Sequence, residues 1–464
     1  MSGIIKKTIS VVLIAWAALV VIFCIVVPRF QKKAEPSQLE LPGVFADGAA
    51  PERVLCIDDN QEALLRRLQV IESAEKEILL SSYYYGDDDS AHDITAALLE
   101  AADRGVDIRI LVDGFCAFTA LNNSPEFKTL ASDPHVEVRI YNPVNVVLPV
   151  RINYRMHDKY LVADDSLYIL GGRNTRNVSL GDYSDKKDMD RDLLVYCSNP
   201  VPGNSVFQVK AYFESVWALD TNKPYTRTTK KAGEIRESFR SRWEKLRETR
   251  PEVFEIVNWE SVTMPTAGVT LLHNPIEAAD KAPTLWADLT AIMDRGQEIL
   301  IQTPYLICNH RMYEDLRDLH RQGSDVRVIT NAPECGANPN GCADYLNQRH
   351  KIRATGMKIY EYAGPHSAHS KTVLVDDHIS VVGSFNFDMR SAYLDTELML
   401  VVDSPELNAH LRQLDGQYMS MSRCILPDGT KILGENFVKP HMPILKYVLY
   451  GVLRLVTIPI RHLL

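Results

Sequence analysis

The 464-residue chain has no surplus of positive charge: 51 lysines and arginines against 60 acids give a formal net charge of −9. That balance weighs against a general nucleic-acid binder, which carries a basic footprint, and it says nothing against a lipid substrate. The eight cysteines, at 24, 56, 116, 197, 308, 335, 342 and 424, lack the paired spacing of a zinc site, and neither a metal nor another cofactor is expected. Only Cys335 and Cys342, in ECGANPNGC, lie close enough in a turn-rich loop for a local disulfide; free thiols in a reducing compartment are the alternative. No small-x-small cleavage site follows the apolar run near the N-terminus, and Val21-Ile22-Phe23 before Cys24 matches a lipoprotein box poorly, so the run reads as retained.

That run, Ile9 to Val27, is nineteen residues without a charge, long enough to cross a hydrocarbon core of about 30 Å. Residues 1–33 therefore read as a single-pass anchor in the cell membrane. Lys6 and Lys7 face Arg29, Lys32 and Lys33 across it. The short basic head leans towards a cytoplasmic N-terminus with the bulk of the chain outside.

The rest is written twice. EILLSSYYY (Glu77 to Tyr85) returns as EILIQTPYL (Glu298 to Leu306), and RGVDIRILVDG as QGSDVRVITNA. RMHDKYLVADDSLYILGGRN returns 212 residues later as AHSKTVLVDDHISVVGSFN, which puts His369, Lys371 and Asp376 in register with His157, Lys159 and Asp164. A period this long is a duplicated domain rather than a solenoid. Strands alternating with helical patterns predict an α/β fold of two mixed sheets flanked by helices, with the copies, 50–222 and 266–430, related by a pseudo-twofold axis. Both half-sites then lie in one chain, which is expected to work as a monomer.

Between the copies, residues 223–265 form a basic linker, with ten basic and four acidic residues from Lys223 to Arg250. Phe239, Trp243 and Leu246 line one side of a helix there, which would be either solvated or laid on an anionic membrane. The last segment, 440–464, is apolar but interrupted by Lys446, Arg454, Pro459 and Arg461. It suits either the headgroup region or a last helix packed on the body.

The repeated motif carries the chemistry. Strict alternation along a strand puts His157 and Lys159 on one face, and burying two cationic groups together is costly unless an anion accompanies them. Two such pairs meeting across the axis would make a cationic pocket for a phosphodiester, with one imidazole as nucleophile and the other as acid and then base. Lysines and asparagines would hold the non-bridging oxygens. Asp164 and Asp376 fall at the turn and read as acids that fix the hairpin. Each histidine also needs a partner on its second nitrogen; Glu397 in DTELMLVV and Asp192 in DRDLLVYC stand in comparable places before a closing strand.

HDKYLVAD with GGRN, and HSKTVLVD with GSFNFDMRS, resemble the two HKD motifs of the phospholipase D superfamily. YYYGDDDSAHDITAALLEAADRGVDIRILVDG, TPYL and GSFNFDMRSAYLDTE are most similar to bacterial cardiolipin synthases, over roughly residues 50 to 430. The resemblance implies a phosphatidyl group held on His157 and passed to a second phosphatidylglycerol with release of glycerol, His369 serving as acid and base. It implies Lys159, Lys371, Asn174 and Asn386 on the phosphate, with Ser384 beside them, and Glu397 as the acid that orients a histidine. Asp164 and Asp376 count as members of the catalytic motif. Phospholipid and membrane are the implied partners and nucleic acid is not; hydrolysis to phosphatidate, or a nuclease activity, would use the same residues. The first copy departs from the second in having Gly172 where the second has Ser384, and in an insertion, NVSLGDYSDKKDMD, before Asp192.

Overall fold

A computed structural model describes residues 2–34, 44–46, 48–147 and 149–464. Helix α1, Ser2–Val21, continues through Val26 and Arg29 by short π and 3₁₀ turns. The stretch Lys7–Arg29 is the one helix among the described residues long and apolar enough to cross a membrane, and apart from Pro28 it is not buried in the protein.

The two copies build two nine-stranded sheets in which seven corresponding strands follow the same order and the two short remaining strands differ in place. In the first, β1 (Arg53–Ile57), β2 (Glu77–Ser82), β3 (Asp107–Asp113), β4 (Val136–Tyr141), β5 (Lys159–Ala163), β6 (Leu167–Gly171) and β7 (Asp192–Tyr196) lie as β1-β7-β6-β5-β2-β3-β4. In the second, β8 (Gly268–His273), β9 (Glu298–Gln302), β10 (Asp325–Asn331), β11 (Lys358–Tyr362), β12 (Thr372–Val375), β13 (Ile379–Gly383) and β14 (Leu398–Asp403) lie as β8-β14-β13-β12-β9-β10-β11. Each sheet is mixed. β2, β3 and β4 run parallel while β5 is antiparallel to β2, and β9, β10 and β11 are matched in the same way by β12. The central strands are apolar on both sides because both faces are covered. Tyr160, Val162 and Leu170 of the first sheet share one continuous core with Val381, Trp286 and Leu400 of the second half, whereas Leu161 and Ile169 face an outer core. The seam between the copies is thus core rather than a wet domain boundary.

One expectation about the connecting segments changes, and the C-terminal segment follows one of its two alternatives, a last helix packed on the body. The basic stretch is not a free linker. Helix α2, Ala232–Thr249, buries Phe239, Trp243 and Leu246 in the first copy's outer core. Its arginines are used on that copy's acids: Arg242 lies 2.6 Å from Asp93 and 3.1 Å from Asp89, Arg236 lies 2.5 Å from Asp103 and also bonds Asp133, and Arg240 reaches Asp103. Asp89 and Asp93 of the acidic run DDDSAHD, together with Asp103 and Asp133, neutralise these arginines. The C-terminal segment forms helix α3, Ile444–Ile460, docked on the helix Pro339–Arg353 through Lys446, Tyr450, Arg454 and Arg461. Cys335 and Cys342 are free thiols, as are the other six cysteines, so the local disulfide is not formed.

The motif acids hold the hairpins in place from a distance. Asp164 and Asp376 both have positive φ, 54° and 48°, a left-handed conformation that Asp tolerates better than most residues. Asp164 accepts from the amides of Glu75, Lys76 and Glu77, and Asp376 from those of Gln297 and Glu298, where β2 and β9 begin. Each therefore ties its hairpin turn to the neighbouring strand at the end away from the histidine, and among the described residues neither carboxylate bonds a motif histidine or lysine. Replacing either by Ala should lower unfolding stability by about 1.5–3 kcal/mol, the range for hydrogen bonds to a charged group, with turnover per folded molecule retained. Urea denaturation beside an activity assay checks this; a stable but inactive Asp376→Ala would return the acid to the site.

Candidate active site

His157 precedes its strand rather than sitting in it. β5 begins at Lys159, and Met156 instead makes an isolated parallel bridge with Thr396 of the other copy. The His157 amide donates to the Thr396 carbonyl and hydroxyl. In the second copy Ser367 and Ala368 pair in parallel with Asp188 and Met189, and the His369 amide donates to the Met189 carbonyl at 2.6 Å. Backbone pairing across the seam, not alternation along a strand, sets where the imidazoles lie. The residue before each histidine is gripped from equivalent strand ends. Asp113 accepts from the Met156 amide at 2.9 Å, and Asn331 accepts from the Ala368 amide and donates to its carbonyl. The repeated RGVDIRILVDG and QGSDVRVITNA carried that signal in their final Asp and Asn.

The same crossing brings each copy's acid to the other copy's histidine. Glu397 Oε1 lies 2.9 Å from His157 Nδ1, and Asp190 Oδ2 lies 2.5 Å from His369 Nδ1. Asp192 is not the orienting acid: it is fully buried against Arg67 at 2.9 Å and Arg173 at 3.2 Å. Register explains the correction. Gly171 faces Asp192 across the sheet, while the equivalent Gly383 faces Met399; the counterpart of Glu397, two residues before Met399, is Asp190. It is the last residue of the stretch that reads as an insertion.

The Gly172 and Ser384 departure follows from the acids. The Asp190 carboxylate occupies the space a side chain at Gly172 would need. Ser384 Oγ donates to Glu397 Oε2 at 2.5 Å and accepts from the Leu398 amide, so this serine steadies an acid. Ser391 Oγ donates to Glu397 Oε1 at 2.6 Å.

Both lysines are buried, Lys159 at 3% and Lys371 at 1% exposure, and each curls back to donate to the carbonyl of its own histidine. Lys371 Nζ also lies 2.7 Å from His369 Nδ1 and 3.3 Å from Asp190. Among the described residues no carboxylate is within ion-pair distance of Lys159. Asn174 and Asn386 stand at the ends of the two hairpins, buried, with side-chain carbonyls bonded to no protein group. Tyr83 packs edge-on to His157 with ring centroids 5.0 Å apart, and its ring faces Lys159.

The electrostatics are unequal although the folds are matched. Burial, then Lys159 and Lys371, hold the His157 imidazole well below its ordinary pKa. Burial pushes Glu397 up to about 7 against the pull of Lys159 and its serine donors, and pushes Lys159 down to about 7. Burial also raises Asp190, but Lys371 and His369 outweigh it and hold that carboxyl well below the usual range. His157 is therefore a neutral base, and His369 stands beside a firmly ionised acid.

The cardiolipin synthase, phospholipase D-like domain model matches residues 68–217 and 289–415, well over half of the chain. The chain belongs to this family. Cardiolipin synthase C of Escherichia coli (strain K12) is 26% identical over 393 residues, 76% of this chain and 81% of that protein. An uncharacterized protein of Helicobacter pylori (strain ATCC 700392 / 26695) is 25% identical over 398 residues, 77% of each. The crystal structure of phosphatidylserine synthase from Haemophilus influenzae Rd KW20 superposes with a TM-score of 0.61 over 88% of this chain and 96% of that one, at 16% identity. This phospholipase D-like chain is thus a duplicated α/β enzyme of the superfamily whose repeats meet where the two histidines lie.

The site makes a direct test of which acid does what. Asp190→Asn should cut turnover by on the order of 10²–10⁴-fold, the contribution typical of a positioned acid or base, with little change in melting. Asp192→Ala should instead cost about 3–5 kcal/mol of stability, since it strands two buried arginines. Melting curves and turnover on both variants check the assignment, and the reverse pattern would return Asp192 to His369.

Proposed function

We propose that this protein is a phosphatidyltransferase that makes cardiolipin from two molecules of phosphatidylglycerol. The observation that carries the reading is the crossed, unequal pairing of the two imidazoles. His157 is neutral and steadied at Nδ1 by Glu397, so Nε2 carries the lone pair a nucleophile needs. His369, beside ionised Asp190, has a counter-charge for its protonated form and can give up a proton.

In the first half-reaction His157 Nε2 attacks phosphorus, the bond from phosphorus to the glycerol oxygen breaks, and His369 supplies that oxygen's proton. In the second, His369 takes the proton from the hydroxyl of another phosphatidylglycerol as its oxygen attacks phosphorus. The phosphorus–nitrogen bond then breaks and His157 is restored. Lys159 and Lys371, with Asn174 and Asn386, hold the non-bridging oxygens as negative charge builds. A phosphodiester also gives Lys159 the anion that no protein carboxylate supplies within ion-pair range. One motif alone has a nucleophile but no acid, which gives the duplication its purpose.

The printed names of the relatives support a phospholipid substrate for this site, and the long apolar helix supports a membrane-anchored enzyme. Phosphatidylglycerol vesicles incubated with the full chain should yield cardiolipin and free glycerol together by mass spectrometry, and neither with His157→Ala. Phosphatidate with glycerol would make the protein a hydrolase. Turnover by His157→Ala equal to that of the parent would overturn the site itself.

A further inference from the structure

Helix α3 is built with two faces. Lys446 donates to the Glu334 carbonyl, Tyr450 OH to the Pro333 carbonyl, Arg454 to Asn347, and Arg461 makes two 3.0 Å bonds to Asp344. These residues recur at intervals of four to seven along the helix side that meets the body, and Thr457 lies buried among them. The cations that interrupt the apolar run are therefore engaged with the protein. The opposite side presents Ile444, Leu445, Val448, Val452, Leu455 and Ile458, from 55% to 84% exposed. An uncovered apolar stripe of this length is unusual on a soluble surface and marks an interaction site.

Three observations identify what covers it. First, the chain end that follows α3 touches the lower part of the apolar span: His462 Nε2 lies 2.6 Å from the Ile25 carbonyl. Second, Val147, Pro149 and Asn153 of the first copy meet the span. Trp16 donates to the Val147 carbonyl, Cys24 Sγ lies 3.2 Å from the Pro149 carbonyl, and Asn153 donates to the Cys24 carbonyl, while Val146 and Val147 remain exposed. Third, both contacts converge on the site through half-buried Arg390. Its guanidinium donates to the carbonyls of Leu463 and Asn153 and pairs with Asp395 at 3.0 Å, two residues before Glu397, and its amide donates to the Leu464 carbonyl.

We infer that the outer face of α3 lies in the surface of the lipid bilayer, next to the point where the N-terminal span emerges, and seats the active site against the membrane it draws substrate from. A helix with an apolar face and no free charge on it buries that face at the headgroup boundary. The inference rests on the reading of the N-terminal helix as a span and of phospholipid as substrate. Arg390 makes the seating structural, because the same side chain holds the chain end, the segment beside the span and the strand entry that carries Glu397.

The test uses the full chain in vesicles of phosphatidylethanolamine and phosphatidylglycerol. A photoreactive benzoyl-phenylalanine replaces Leu445, Val448 or Leu455 one at a time, with Ile14 in the span and Glu237 on exposed α2 as references. Irradiation should give protein carrying the mass of a phospholipid at the three α3 positions and at Ile14, and none at Glu237. Adducts of twice the protein mass at the α3 positions would make the face a contact between two copies and overturn the inference, as would lipid adducts at Ile14 alone or at none of the positions. Lipid products are measured on the same preparations. Adducts without turnover would remove the catalytic reading and leave the surface standing, whereas turnover without α3 adducts would do the opposite.

Discussion

Everything at the centre of this protein depends on keeping two imidazoles and two ammonium groups inside a core. Taking such charges out of water costs several kcal/mol each unless fixed partners compensate, and the fold supplies those partners crosswise, Glu397 to His157 and Asp190 to His369. Neither copy can satisfy its own histidine. The shared core, the parallel pairing of Ala368 with Met189 and the bridge from Met156 to Thr396 are the scaffold that holds this exchange in register. Symmetry of backbone combined with asymmetry of acid lets one imidazole stay neutral beside a raised glutamate while the other faces an ionised aspartate. Two equal groups would do the same job twice; in the proposed mechanism these two take different parts, one as nucleophile and one as proton carrier.

The duplication, the motif strands and the meeting of His157, Lys159, His369 and Lys371 were legible in the sequence because they repeat, and repetition survives without coordinates. Asp190 was not, because its identity depends on cross-strand register: with Gly171 opposite Asp192 and Gly383 opposite Met399, the counterpart of Glu397 lies two residues before Asp192 rather than at it. The contact Ser384 makes was not legible for a related reason. Its neighbour in sequence is the turn that leads to Asn386, but its neighbour in space is Glu397. Placing Asp164 and Asp376 in the turn held, although their hydrogen bonds run to the starts of β2 and β9 rather than within the hairpin. The basic stretch and the C-terminal segment looked like surface elements from composition, since composition does not show that their cations meet buried or half-buried acids.

The position of the site in the molecule follows from where the ends of the chain go. The span, Asn153 of the first copy and the last residues after Ile460 gather beside Arg390. On the proposed function, an enzyme handling an insoluble phosphodiester gains from this, because the headgroup would travel only from the bilayer surface to the seam between the sheets. The N-terminal helix and the C-terminal helix therefore belong to the same architecture as the histidines, although they lie outside the repeated domains.

The most direct test of the central claim, that His157 attacks and His369 handles the proton, uses a phosphatidyl ester of p-nitrophenol, whose leaving group departs without protonation. With His369→Ala, a single burst of nitrophenolate stoichiometric with protein should be followed by arrest, because no base remains to activate the acceptor. Peptide mass spectrometry after quenching in base should then find a phosphatidyl group on His157. A burst from His157→Ala, with the group on His369 instead, would contradict the account.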